Sequence, residues 1–285
     1  MNTPAPPTAL RCDLEYVLAS NAHFMLHIQC ASSWDQRVLQ ESLVTEPNLL
    51  LRHSWDPATG NRIFRCDFGP GTLRIRYDAR VELYRPVATG QEHEMQVTEI
   101  PDEVVQYLLP SRYCQSDLLS ADAQQLFGNV NRGYQRVAWI CQWIRDNIHY
   151  QIGTSCPTTT ALDVYQQRAG VCRDFAHLAI TFCRALNMPA RLVVGYCHFE
   201  EPPQDFHAVA EVWLAGRWVM FDPTALAPVE RLVRVGTGRD AKDIAFGTIY
   251  GAMQMTHMHI QVNHDGSPPV ERPDPIEATV PQLGG

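Results

Sequence analysis

The sequence has no apolar run near the ~18 residues that a membrane-crossing helix needs. Its opening, MNTPAPPTALRCDL, lacks both a basic n-region and an apolar h-region. Neither a membrane span nor a secretory signal is therefore expected. Basic clusters are missing as well. With 23 Lys and Arg against 31 Asp and Glu, the net charge is −8, which argues against a phosphate backbone as partner. Cysteines are present, nine of them, but no two are spaced as C-x-x-C. That removes a thioredoxin-like redox centre and the common zinc patterns. An odd number at wide spacing reads as free thiols in a reducing cytoplasm, so a cytoplasmic location is expected. No D-x-D-x-D-G loop offers an EF-hand. His257 and His259 share a face if their segment is a strand, but a third ligand is not evident. No metal and no cofactor are expected. There are no internal repeats, and residues 267–285 are rich in proline and poor in large apolar side chains, as a loose tail would be.

What remains is an ordinary globular chain, 45% apolar over 285 residues, long enough for one or two domains. Its first hundred residues carry strand patterns. In 73–84, Leu73, Ile75, Tyr77, Ala79, Val81 and Leu83 alternate with Arg74, Arg76, Asp78, Arg80 and Glu82. Residues 11–18 alternate in the same way. A period of two with one polar face predicts an antiparallel sheet wetted on that face. From Pro101 onward the period changes. Tyr134, Val137, Ala138, Cys141, Ile144 and Ile148 mark an amphipathic helix over 133–148. Thr160 is placed to cap a short helix ending by Gly170. Val171, Phe175, Leu178, Ala179, Phe182 and Leu186 form the stripe of another, stopped by Asn187 and Pro189. Strand patterns return at 190–197, 206–214 and 217–222, with Ala215–Gly216 as a tight hairpin turn. The expected division is a β-rich domain over 1–100, a catalytic domain over 101–266, and the tail.

Cys172 falls in the first turn of the 171–186 helix. Unpaired N–H groups and the helix dipole gather there and favour a thiolate. Cys183, further along the same helix, has no such help. Taken alone, a cysteine is more often a small buried residue, and a thiol enzyme also needs a base. His207 opens one strand and Asp222 ends the next. A two-residue turn at Ala215–Gly216 pairs Leu214 with Arg217, which sets Asp222 opposite Val209. His207 is then its diagonal neighbour on the same face, about 7–8 Å away by Cα and within side-chain reach. A carboxylate there would orient the imidazole and stabilise its charged form. Cys114 and Cys156 are not followed by a comparable His and Asp pair and read as structural or pocket-lining, and His177, five residues after Cys172 and rotated off its azimuth, reads as structural. For the oxyanion, the Cys172 backbone N–H is one donor, with Tyr150 or Gln151 as candidates for the second. Asp174 suits the helix dipole and is a candidate to touch the site. Trp218, beside the turn with Trp213, is a candidate substrate wall.

These residues lie in segments that resemble bacterial transglutaminase-like proteins: GVCRDFAHLAITFCRALNMPARLVVGY (170–196), DFHAVAEVWLAGRWVMFDPT (205–224) and GRDAKDI (238–244), preceded by LPSRYCQSDLL (109–119). The resemblance implies an α+β fold with a papain-like core, a Cys-bearing helix packed on an antiparallel sheet, after an all-β N-terminal region. It implies Cys172 as nucleophile, His207 as general base and acid, and Asp222 as the orienting carboxylate. The expected activity is acyl transfer from an amide or peptide carbonyl of a peptide or protein substrate through a thioester. Hydrolysis is the preferred outcome, because water is always present whereas amine transfer needs a second site. The alternatives are a crosslinking transglutaminase, a non-enzymatic binding module with a relict triad, and, least favoured, a zinc hydrolase.

Overall fold

A computed structural model describes residues 6–267 and residue 269. The tail expected over 267–285 thus lies, apart from Ser267 and Pro269, outside the described residues. The chain opens with six strands: β1 (Thr8–Leu18), β2 (Ala22–Leu26), β3 (Gln36–Glu46), β4 (Arg52–Trp55), β5 (Arg62–Phe68) and β6 (Gly71–Leu83). Helices α1 (Asp102–Val105), α2 (Ser120–Phe127) and α3 (Tyr134–Asn147) follow. Next come β7 (His149–Tyr150), α4 (Ala161–Gln167), β8 (Ala169–Gly170) and α5 (Cys172–Ala185). The chain then forms β9 (Ala190–Tyr196), β10 (His207–Leu214), β11 (Arg217–Phe221), β12 (Val233–Gly238), β13 (Gly247–Tyr250) and β14 (Met253–Asn263).

The class is α+β, with three four-stranded antiparallel sheets ordered β14-β1-β6-β3, β13-β2-β5-β4 and β11-β10-β9-β12. The alternation read in β6 has its expected effect. Leu73, Ile75, Tyr77, Ala79 and Val81 are buried while Arg74, Arg76 and Arg80 face outward. The outer face locks the register by cross-strand ion pairs: Arg11–Asp78, Arg76–Asp13 and Arg74–Glu15, each at 2.7 Å. The inner face shares one core with the second sheet, where Tyr16 meets Phe24 edge to face at 5.2 Å. Two late strands, β13 and β14, pair with β2 and β1. The division expected at residues 100 and 266 therefore follows chain order, whereas the N-terminal sheets also draw strands from beyond residue 246.

Helix α5 packs on β10 and β9, and every residue from Asp174 to Arg184 is buried. Ala208, Ala210, Val212 and Leu214 meet it from one face of the sheet. Val193, Val209, Met220 and Leu232 form a second, smaller core on the other. A buried ionic chain joins this sheet to the N-terminal ones. Arg234 bonds Glu211 at 2.5 Å and Asp35 at 2.9 Å, Arg85 bonds Asp35 at 2.8 Å, and Arg191 bonds Glu211 at 2.8 Å. Burial works against the Glu211 charge, but the arginines overcome it and hold the carboxyl down at about 2.

Two local readings meet a difference. Thr160 caps α4 with a reciprocal bond to Asp163, but the left-handed turn that stops the helix falls on Arg168, at φ 59°, not on a glycine. Its guanidinium lies over Tyr165 at 4.4 Å and Trp143 at 5.2 Å, contacts that offset the strained backbone. The change of period read from Pro101 onward begins with only the four-residue α1, followed by a 3-10 turn at Gln106–Leu108.

Candidate active site

The hairpin between β10 and β11 turns on Ala215 and Gly216, both at positive φ (48° and 75°), as a type I′ turn requires. Leu214 pairs with Arg217 and Ala210 with Phe221. His207 and Asp222 therefore share a face, and the Nε2–Oδ2 separation is 2.9 Å with both side chains almost wholly buried. Asp222 is held from several sides. Its Oδ1 accepts from the Thr224 hydroxyl (2.6 Å) and N–H (2.9 Å), and its Oδ2 also accepts from the Ala227 N–H (3.2 Å). Burial disfavours the Asp222 charge, but the imidazole and these donors prevail and keep its carboxyl below its ordinary range.

Cys172 is the first residue of α5, half-buried where Cys183 is fully enclosed. Its Sγ lies 3.8 Å from the Phe206 carbonyl oxygen, at the entry to β10. That puts the thiol beside the imidazole. Burial pulls the His207 pKa down, but the hydrogen bond it makes to Asp222, and then the neighbouring Cys172, outweigh this and raise it to about 10. The remaining ring nitrogen, Nδ1, is buried and makes no ordinary hydrogen bond. Phe199 covers the ring at 5.6 Å. Burial pushes the Cys183 thiol far up instead.

The helix start is fixed from behind. Asp174, 1% exposed, accepts the Val171 N–H through Oδ2 (3.0 Å), half of a capping box. Its Oδ1 accepts from Ser155 and Arg173, both at 3.0 Å. The approach is so close that a Cβ on Gly170 would fall 2.8 Å from the Asp174 Cβ. Asp174 thus lies behind the thiol and tethers the 151–160 loop to the helix.

The parallel pair β7–β8 sets Tyr150 opposite Gly170. The Tyr150 ring lies 5.7 Å from Phe175, and its hydroxyl is near enough to Cys172 for the two groups to act on one another. Burial, reinforced by Cys172, pushes this phenol well above its usual range, so it stays a neutral O–H. Gln151 gives its N–H to the Gly170 carbonyl (2.9 Å) and leaves its side chain exposed. Trp218 is at the opposite end of the hairpin. It packs 5.2 Å from both Tyr107 and Trp213, with Arg191 over it at 4.0 Å. The structure brings Cys172, His207, Asp222 and Tyr150 together, and sets Gln151 and Trp218 aside. His177 is buried under Tyr113, its Nε2 accepting the Ala241 N–H at 3.1 Å. Two residues of the surroundings were not singled out from sequence, Phe199 and Asp205. Asp205 carried a signal, being the residue two before His207.

Residues 121–223 match the family model of the transglutaminase-like superfamily, a span that holds Cys172, His207 and Asp222. A crystal structure from Cytophaga hutchinsonii, described as a candidate cysteine protease, is 36% identical with a TM-score of 0.87. The match covers 92% of this chain and 91% of that one. An uncharacterised protein of Mycobacterium leprae is 29% identical over 181 residues, which is 59% of this chain and 63% of the relative. One of Mycobacterium tuberculosis is 38% identical over 109 residues, 33% and 35% of the two chains. The chain thus spans less than two thirds of the length of these mycobacterial relatives.

Proposed function

The chain belongs to the transglutaminase-like superfamily, and from that premise we propose that it is a thiol acyl-transfer enzyme using Cys172, His207 and Asp222 on amide or peptide carbonyls. The observation that carries this reading is the His207 ring. One nitrogen is bonded to a buried carboxylate, the other has no ordinary hydrogen bond among the described residues, and the thiol is close enough to raise the pKa of the same ring.

His207, whose raised pKa keeps it an imidazolium at neutral pH, holds the proton given up by the thiol while the sulfur attacks the carbonyl carbon. The oxyanion that forms is met by the Cys172 backbone N–H and by the Tyr150 hydroxyl, which burial keeps protonated. The imidazolium then gives its proton to the departing amine, and a thioester remains on Cys172. Asp222 stabilises the imidazolium through both transfers and holds the ring in one tautomer. Asp174 is a positioning residue, acting on the helix start from behind.

Water resolving the thioester gives an amidase or peptidase, and a primary amine gives a transglutaminase. We favour hydrolysis, since water is present at every turnover while an amine must be bound. The candidate-protease description of the Cytophaga hutchinsonii relative supports the same preference. The test is incubation of the full chain with Gln-containing peptides, with and without a primary amine, beside the Cys172→Ala variant. Ammonia or peptide release that needs Cys172 and exceeds amine incorporation is the expected result. Incorporation exceeding release reverses the preference, and turnover that survives Cys172→Ala removes the thiol reading.

A further inference from the structure

The interior carboxylates of this protein are mostly matched by cations: Asp35 and Glu211 by arginines, Glu92 by Arg217, Asp174 by Arg173, and Asp222 by His207. Asp205, at the surface beside the candidate site, has no such match. It lies two residues before His207 and is bonded to Phe206, whose carbonyl oxygen is 3.8 Å from the Cys172 Sγ, and its charge acts on both the His207 ring and the Tyr150 hydroxyl. Among the described residues no Lys or Arg is within ion-pair distance of it; its Oδ1 accepts only the Phe206 N–H, at 2.6 Å. The residue as a whole is exposed, although the surrounding loop partly screens its carboxyl from water and raises its pKa.

Its position is nevertheless firm. Gln204 cinches the loop by donating to the Cys197 carbonyl at 2.5 Å, and Phe206 is wedged between Tyr196 at 5.0 Å and Phe246 at 5.2 Å. A carboxylate on an anchored backbone, open to solvent beside the nucleophile and without a cation of its own, is complementary to a cation brought by substrate. The chain itself has little of the competing chemistry: of its 23 basic side chains, one, Lys242, is a lysine. Resting on the thiol acyl-transfer reading, we propose that Asp205 determines specificity by receiving a primary ammonium group of the substrate beside Cys172.

The ammonium has two possible sources, the acyl substrate or the incoming amine. The first experiment needs neither. Cys172 in the full chain is alkylated with 2-bromoethylammonium, iodoacetamide or iodoacetate and followed by peptide mass spectrometry, in wild type, Asp205→Asn and Asp205→Glu. Asn retains the Oδ1 that accepts from Phe206. The wild-type preference for the cationic over the neutral reagent should fall about three- to fivefold in Asp205→Asn, the size of an exposed charge contact. It should persist in Asp205→Glu and shrink with added salt. An unchanged ratio in Asp205→Asn overturns the proposal. So does a ratio lost in Asp205→Glu, or a collapsed iodoacetamide rate in Asp205→Asn, which would make the residue a positioning one. Turnover then separates the sources. A free α-amino peptide amide against its N-acetyl form reports on the acyl side, and a primary amine against neutral hydroxylamine reports on the acceptor. If no reagent alkylates Cys172 faster than Cys183, it is the thiol reading that fails.

Discussion

Asp222→Asn removes one charge and almost no volume, and its cost follows from the bonding around the carboxylate. Four donors converge on two oxygens: His207 Nε2–H and the Ala227 N–H on Oδ2, the Thr224 hydroxyl and N–H on Oδ1. An asparagine has one acceptor oxygen, so either orientation turns its NH2 group against two donors. A buried hydrogen bond to a charged group is worth about 1.5–3 kcal/mol. If that difference is expressed at the transition state, kcat/KM falls about 10- to 150-fold, and more if the imidazole adopts the wrong tautomer. The same loss should appear without a substrate, as slower iodoacetamide alkylation of Cys172 at neutral pH.

The pH dependence has a defined direction. His207 is raised from 6.5 to about 10, so its contribution to stability is complete below about 6.5 and fades as the pH climbs through about 10. Asp222 is lowered from 3.8, so its contribution is complete above that value and is lost in stronger acid. Urea unfolding should therefore show the largest gap between wild type and Asp222→Asn at pH about 4 to 6.5, closing toward pH 10. The alkaline limb of alkylation or turnover should move to lower pH in the variant. Rates within threefold of wild type together with an unmoved limb would refute the reasoning.

Three further outcomes are expected. Cys156 is exposed, and hydrogen bonds from Thr158 and Thr159 lower its pKa to about 7. Mass spectrometry should therefore find it alkylated at neutral pH, and Cys156→Ser should leave labelling of Cys172 intact; an unreactive Cys156 contradicts this. Glu211→Gln removes the carboxylate of Arg191 and leaves the buried Arg234 sharing Asp35 with Arg85, so it should cost about 3–5 kcal/mol in urea unfolding, and a loss under 1 kcal/mol would show that the ionic chain ties little together. Ala215→Gly relieves a left-handed alanine and should stabilise by about 0.5–1 kcal/mol in thermal unfolding, with no gain expected only if the turn is not left-handed.

How much could be read from sequence depended on how local the determining contacts are. The β10–β11 register follows from a two-residue turn, so the nearness of His207 and Asp222 was legible before any coordinates. The α5 stripe and its stop at Asn187 were equally local. Long-range pairing was not: nothing in Thr248 or Met255 announces that the strands carrying them join β2 and β1. The turn on Arg168 escaped because its compensation comes from Trp143, on another helix. Trp218 was placed near the substrate because it stands beside the hairpin turn, but that turn is at the far end from Asp222. Asp205 went unnoticed because an unmatched charge is visible only once the neighbours are known.

The return of β14 to β1 has a consequence for synthesis. A ribosome releases β1 and β6 first, but the neighbour that completes their sheet emerges only after α5, β10 and β11 have left the tunnel. The helix bearing the thiol and its supporting sheet are contiguous in the chain, so they can assemble while the opening strands still lack an edge. A chain stopped before residue 253 would keep Cys172, His207 and Asp222, yet expose the bare flank of β1 to any strand it meets.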